Sequence, residues 1–123
     1  MASYRFSQVK GTSITFKIGT DVLNFDVGSA ADVDIAVSGK NLILKLGTES
    51  VTLLNVSQRG NLTTTNVTFA DGSRLLIGDN TTGTSNDAIA NSLLGSGGND
   101  QLIGLGGNDY LDGRNGGDTY VVV

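Results

Sequence analysis

Three consecutive nine-residue segments in the last third of the chain share one pattern, and this repeat constrains the fold more than any other feature. They cover residues 95–103, 104–112 and 113–121. Each begins with a glycine-rich stretch, carries Asp at its sixth position and has a large apolar or aromatic residue two positions later. A nonapeptide repeat of this kind is typical of a parallel β-helix, in which a tight loop alternates with a very short strand.

The repeat carries the chemistry of a site for a hard cation. Asp recurs once in every nonapeptide, at Asp100, Asp109 and Asp118, and glycine permits left-handed backbone angles that turn carbonyl oxygens toward a common centre. Oxygen ligands without nitrogen or sulfur favour calcium over zinc or copper. Cysteine and histidine are absent, which excludes disulfides, thiol or imidazole catalysis and zinc sites built on those side chains.

Two nonapeptides make one coil, so loops separated by two nonapeptides are expected to share an ion. Asp100 and Asp118 are therefore predicted to bind one ion on one side of the coil, and Asp109 to bind another on the opposite side. The candidate partner of Asp109 is Asp87, but it lies more than two nonapeptides earlier, so residues 91–94 would have to bulge out. The remaining predicted ligands are loop residues that offer carbonyl or amide oxygens, namely Gly95, Gly97, Gly104, Gly106, Gly113 and Asn115.

The first two thirds of the chain alternate apolar and polar residues with a period of two, which favours short half-buried strands over helices. Turn signals such as Gly19-Thr20-Asp21 separate them. We therefore expect an all-β fold with three parts. An antiparallel β meander over residues 1–79 caps a short parallel β-roll of residues 95–123, and residues 80–94 form a connector with a degenerate repeat. No segment predicts a helix.

Charge is distributed unevenly along the chain. The net charge is −4, and residues 75–123 hold six Asp against a single cation, Arg114. This acidic region disfavours nucleic-acid binding and favours a cation as partner. No apolar run has the length of a membrane span, and the first residues lack the apolar core of a secretory signal.

Residues 95–121 resemble the glycine-rich nonapeptide repeats of RTX proteins, the haemolysin-type calcium-binding family that bacteria export by type I secretion. The pattern departs from the family where Ser96, Leu105 and Arg114 replace the second glycine. Upstream, residues 67–73 are similar to the sequence motif that ends the β-rich segment before such repeats. The resemblance implies a secreted bacterial protein that folds when it meets calcium outside the cell, and it suggests a fragment of a longer chain.

The sequence also allows other interpretations. The glycine-rich stretch could be a metal-free turn series, and Asp87 a solvated turn residue as readily as a ligand. A nucleotide-binding loop would need a following helix and a terminal Gly-Lys-Ser/Thr, and neither is found. Four other aspartates are expected to punctuate strands rather than to provide a catalytic pair, namely Asp21, Asp26, Asp32 and Asp34. We therefore expect a non-enzymatic module, with an adhesive or carbohydrate-binding module, or the non-catalytic part of a secreted enzyme, as alternatives.

The sequence of the last five residues predicts that the β-roll ends in an uncovered coil. Residues 119–123 are β-prone and uncharged, so they would expose apolar surface and unpaired backbone groups. We expect another copy to cover this end and to form a calcium-dependent homo-oligomer.

Overall fold

The computed structural model describes residues 2–121, and short strands dominate them. The strands are β1 (Ser3–Arg5), β2 (Ser13–Thr15), β3 (Val22–Phe25), β4 (Val33–Ser38), β5 (Asn41–Leu46), β6 (Glu49–Leu54), β7 (Val67–Phe69), β8 (Leu75–Ile77), β9 (Ser92–Leu94), β10 (Gln101–Ile103), β11 (Tyr110–Asp112) and β12 (Thr119–Val121). One short helix, α1 (Phe6–Val9), and two 3-10 turns, Ala30–Asp32 and Arg59–Asn61, interrupt the strands of this part. The predominantly β class predicted from sequence is confirmed.

The predicted antiparallel meander is confined to strands β4, β5 and β6. Two-residue turns join them, and Gly39 and Gly47 have positive φ of 60° and 65°, which is the geometry that tight hairpins require. Elsewhere the prediction is wrong, because β1–β3, β3–β7 and β2–β6 pair in parallel. Parallel partners need long crossover connections, and alternation of apolar residues carries no information about which strand follows such a crossover.

The helix α1 was not predicted, because the sequence of this region favours short strands. Phe6 is buried and its ring stacks on Phe25 at a centroid distance of 4.7 Å. The Ser7 N–H donates to Asp26 Oδ1 at 3.0 Å. These contacts with β3 and the residue after it turn the chain inward, so tertiary packing overrides a local strand preference.

In the last third of the described chain, short parallel strands pair at the spacing of two nonapeptides. Gln101 lies opposite Thr119, and Ser92 lies opposite Tyr110, so both pairs follow this spacing. A third strand, β8, pairs with β10 after a longer interval, since Leu75 lies opposite Gln101. Strands β8 and β9 thus join the repeat strands, although the predicted boundaries placed them in the capping region and the connector. The sheets are small and none of those described closes on itself.

The core has two parts of unequal size. The larger cluster lies mainly under strands β3 to β8 and includes Phe25, Leu42, Leu44 and Leu53. The smaller one consists of Leu76, Leu93 and Leu102, with Leu111 packed against it.

Leu102, the apolar residue of the first nonapeptide, points inward and is fully buried. Tyr120 lies opposite Leu102 in the register but is 48% exposed, because β12 is the outer strand of its sheet in the described range. Val122 and Val123, which belong to the predicted open end, lie outside the described residues, so the homo-oligomer stays a prediction.

The turn Ala30–Asp32 joins the first region to the repeat strands. The buried Gln101 side chain donates from Nε2 to the carbonyls of Ala30 and Val33, each at 2.7 Å. The Thr119 hydroxyl donates to the Ala31 carbonyl at 3.0 Å. Strands β10 and β12 are therefore hydrogen-bonded to the same short segment of the N-terminal region. No helix in residues 2–121 is long and apolar enough to cross a bilayer.

Candidate metal centre

Asp100 lies directly before β10 and is fully buried. Its Oδ1 accepts the Arg74 N–H at 2.7 Å and the Ser96 hydroxyl at 2.8 Å, and its Oδ2 accepts the Ser96 N–H at 2.6 Å. Hydrogen bonds from N–H groups hold a carboxylate in one orientation. The Asp100 carboxylate is therefore fixed in place by the loop that carries it and by the chain before β8.

The carboxylate of Asp100 and a carbonyl of a neighbouring loop converge on Gly95. A Cβ atom added to Gly95 would overlap Asp100 Oδ2 and would lie 2.8 Å from the Gly113 carbonyl oxygen. Two acceptor oxygens, from loops that are two nonapeptides apart in sequence, therefore border the same small space. Neither oxygen can donate a hydrogen bond, so the two are ligands of the type that calcium takes.

One hydrogen bond repeats from loop to loop. The Asp100 N–H donates to Asp118 Oδ1 at 2.8 Å, and the Asn91 N–H donates to Asp109 Oδ1 at 2.8 Å. In both cases the donor precedes the carboxylate by two nonapeptides. The structure thus brings Asp100 and Asp118 together on one side, as the spacing predicts, while the ion between them stays a prediction.

Glycine occupies the first position of each nonapeptide for the same structural reason in all three loops. A Cβ at that position would overlap the carboxylate at the sixth position, so a larger residue would displace the Asp side chain. The contact recurs in all three loops, in which Gly95 faces Asp100, Gly104 faces Asp109 and Gly113 faces Asp118.

Asp87 is not opposite Asp109, and this part of the sequence-based prediction is wrong. Residues 92–94 form β9 in unbroken register with β11, so the expected bulge at 91–94 does not form. Gly107 packs on Ala88, whose carbonyl oxygen would lie 2.7 Å from an added Cβ. This contact and the strand register make Asn91, rather than Asp87, the equivalent of Asp109 two nonapeptides earlier.

Asn91 is the site residue that the sequence analysis missed. Its Oδ1 is buried and has no hydrogen-bond partner in the described chain. An amide oxygen is an ordinary calcium ligand, so this unpartnered atom fits a cation beside Asp109. The signal was present, because the nonapeptide frame continues back to Asn86, with Asn91 at the sixth position and Leu93 at the eighth. Asn in place of Asp concealed it.

Two residues that replace the second glycine retain the backbone conformation of glycine. Leu105 and Arg114 have φ of 62° and 61°, in the left-handed region that L-residues seldom occupy. At the third such position, the Ser96 side chain caps Asp100 instead. The departures from the family pattern therefore leave the loop path intact at Leu105 and Arg114.

The other predicted ligands lie toward the outside of the loops. Gly97, Gly106 and Asn115 are exposed. The Gly97 carbonyl oxygen would lie 3.2 Å from a Cβ at Gly116, so it faces the next loop on that side. The contacts place Gly106 against Ala88 and assign no ligand role to Asn115.

Asp87 lies in a different environment from the repeat aspartates. It is buried, its Oδ1 accepts the Asp79 N–H at 3.1 Å, and it packs against Gly60 and Gly78. Burial raises the pKa of Asp87, and the neighbouring Asp79 charge raises it further. The Thr81 hydroxyl lowers the pKa of Asp79.

No three acidic side chains meet within residues 2–121, so an ion in these loops would need carbonyl or amide oxygens beside the carboxylates. The oxygens at Gly113 and Asn91 meet that need, and the residues fit a calcium ion. Comparisons with protein-family models, curated proteins and solved structures found no match to this chain.

Proposed function

We propose that this chain is a non-enzymatic, calcium-binding structural module of an extracellular bacterial protein of the RTX type, exported by type I secretion. In this proposal the stacked loops and short parallel strands form a β-roll that becomes ordered when calcium binds. The observation that carries the proposal is the convergence of Asp100 Oδ2 and the Gly113 carbonyl on one point beside Gly95.

Electrostatics support a cation at this point. A carboxylate and a carbonyl both present negative charge, and the Asp118 carboxylate accepts the main-chain N–H of Asp100 in the adjacent loop. Without an ion, the negative charges of the two adjacent loops oppose their close packing. Calcium would neutralise them and link residues 95–100 to residues 113–118.

A second ion is proposed on the opposite side, between Asn91 and Asp109. The unpartnered Asn91 Oδ1 supports it. Replacing one carboxylate by an amide reduces the ligand charge, which weakens calcium binding. We expect this second site to have the lower affinity of the two.

Folding and binding are coupled in this proposal. Glycine-rich loops lose much conformational entropy on ordering, and the cluster around Leu102 holds only three buried side chains. Metal-binding free energy therefore becomes folding free energy. The hydrogen bonds of Gln101 and Thr119 to the segment 30–33 support the N-terminal region as the template on which the first coils order.

Hydrogen exchange with and without calcium tests the proposal. We expect amides of residues 83–121 to be protected in millimolar calcium and to exchange rapidly in EDTA, with an affinity on the order of 10⁻⁴–10⁻³ M, as in extracellular modules. Strands β4 to β6 should change less and serve as the internal control. Equal protection of residues 83–121 in the two conditions would show that the loops order without metal.

A further inference from the structure

The connection between β8 and β9, residues 78–91, contains a buried carboxylate that the repeat loops do not use. Asp87 is only 6% exposed, and its Oδ2 has no hydrogen-bond partner within the described residues. Burying a carboxylate oxygen without a partner is costly, because the lost hydration is not replaced. This oxygen therefore indicates a binding partner outside the protein chain.

Two glycines from different parts of the chain make room for this carboxylate. A Cβ at Gly60, in the turn Arg59–Asn61, would overlap Asp87 Oδ2. A Cβ at Gly78, directly after β8, would overlap Asp87 Oδ1 and lie 2.5 Å from Asp87 Cγ. Glycine at both positions leaves space that any other residue would fill, so three chain segments surround one acidic side chain.

A second carboxylate lies beside the first. The Asp79 N–H donates to Asp87 Oδ1, and the Asp79 side chain accepts the Thr81 N–H at 3.1 Å and the Thr81 hydroxyl at 2.7 Å. The ion pair found among residues 2–121 joins Lys10 to Glu49, so neither Asp79 nor Asp87 takes part in it. The two neighbouring carboxylates, one of them buried, therefore receive no compensating positive charge from that ion pair.

We propose that Asp79 and Asp87 bind a divalent cation of the calcium type, at a site separate from the repeat loops. Asp87 Oδ2 is the buried ligand and Asp79 supplies the second carboxylate. The bound ion would fix residues 78–91 against the turn Arg59–Asn61, and so hold the insertion that separates Leu75 from its strand partner Gln101 by more than two nonapeptides. The inference rests on the proposed function only for the identity of the ion.

Calcium titration calorimetry on the full chain tests this site, with Asp87→Asn as the main variant. Asn keeps the shape and one oxygen but removes the charge, so we expect the loss of one bound ion per chain. Asp79→Asn should lose the same ion, and the exposed Asp34→Asn should bind as many ions as the parent. Asp118→Asn should lose a different ion, so the double variant with Asp87→Asn should lose two.

Two other outcomes would each overturn one of the proposals. If Asp87→Asn binds as many ions as the parent and is more stable in EDTA, the two carboxyls share a proton and the proposal is wrong. If Asp118→Asn loses no ion while Asp87→Asn does, the proposed function of the repeat fails and this site stands.

A spectroscopic measurement guards against misfolding. Cadmium NMR of the parent should show a resonance that Asp87→Asn removes, and Asp118→Asn, which keeps the Asn91–Asp109 ion in place, should retain that resonance. Its absence from folded Asp118→Asn protein would contradict the proposal.

Discussion

The hairpins β4 to β6 and the repeat strands β9 to β12 are both built from short strands, but the segments that join the strands differ. In the hairpins, Leu42, Leu44, Val51 and Leu53 are fully buried, and each such side chain contributes about 1.5–3 kcal/mol through burial. The repeat strands also bury Leu102 and Ile103, and the loops between them add backbone N–H groups that fix carboxylates. One predominantly β chain therefore combines hairpins held by an apolar core with loops that hold acidic side chains, and for those loops we propose a bound metal.

The largest effect should come from matched core truncations in the two regions. Leu53→Ala and Leu102→Ala each remove a fully buried side chain, and each should lower the free energy of unfolding by about 2–5 kcal/mol in calcium. In EDTA the loss should persist for Leu53→Ala and disappear for Leu102→Ala, because the repeat is then already disordered. Urea unfolding followed by circular dichroism measures both. An undiminished loss for Leu102→Ala in EDTA would remove the distinction between the regions.

Replacing the aspartates of the loops should have the next largest effect on calcium binding and stability. Asp100→Asn and Asp118→Asn should each lose the same ion, and Asp109→Asn a different one. At calcium concentrations about 100-fold above the dissociation constant, a lost site should cost up to about 2.7 kcal/mol. Calorimetric stoichiometry checks the assignment, and loss of two ions from the Asp100→Asn/Asp118→Asn variant would contradict a shared site.

Acid should affect the first region through Asp21. N–H groups of Lys17 and Ala2 donate to its carboxylate, each at 2.9 Å, and lower its pKa below the usual value of 3.8. The ionised form is therefore favoured in the folded state, so this stabilisation is present above about pH 4 and is lost as the pH falls through the folded pKa. In EDTA, Asp21→Asn should lower stability at neutral pH and flatten the decline in acid, as followed by thermal melts. A decline as steep as that of the parent would exclude Asp21 as its source.

The smallest expected effect tests backbone strain in the loops. Arg114→Gly should be about 0.5–1 kcal/mol more stable than Arg114→Ala in calcium, because φ of 61° is costly for alanine and not for glycine. Both variants remove the same charge, so their difference isolates the backbone. Thermal midpoints of the two proteins give the answer, and equal midpoints would indicate that the loop relaxes around residue 114.

Much of the repeat could be predicted from sequence, because its structure is local. The nonapeptide period placed Asp100 and Asp118 in adjacent loops, and the structure brings them within a hydrogen bond of each other. The prediction for Asp87 is wrong because it requires a bulge at residues 91–94 that breaks the nonapeptide period. Counting back two nonapeptides from Asp109 leads to Asn91, where the structure has the equivalent position.

The strand content of the first region and the nonapeptide frame of the second follow from periodicity in neighbouring residues, and they needed no structure to be recognised. Strand pairing did not follow from it, because β1, β3 and β7 meet across long connections whose path depends on the packing of Phe6 on Phe25. Likewise, no local pattern places Gly60 beside Asp87. Contacts between residues far apart in sequence arise only when the whole chain closes around its core, and that closure created the buried carboxylate between Gly60 and Gly78.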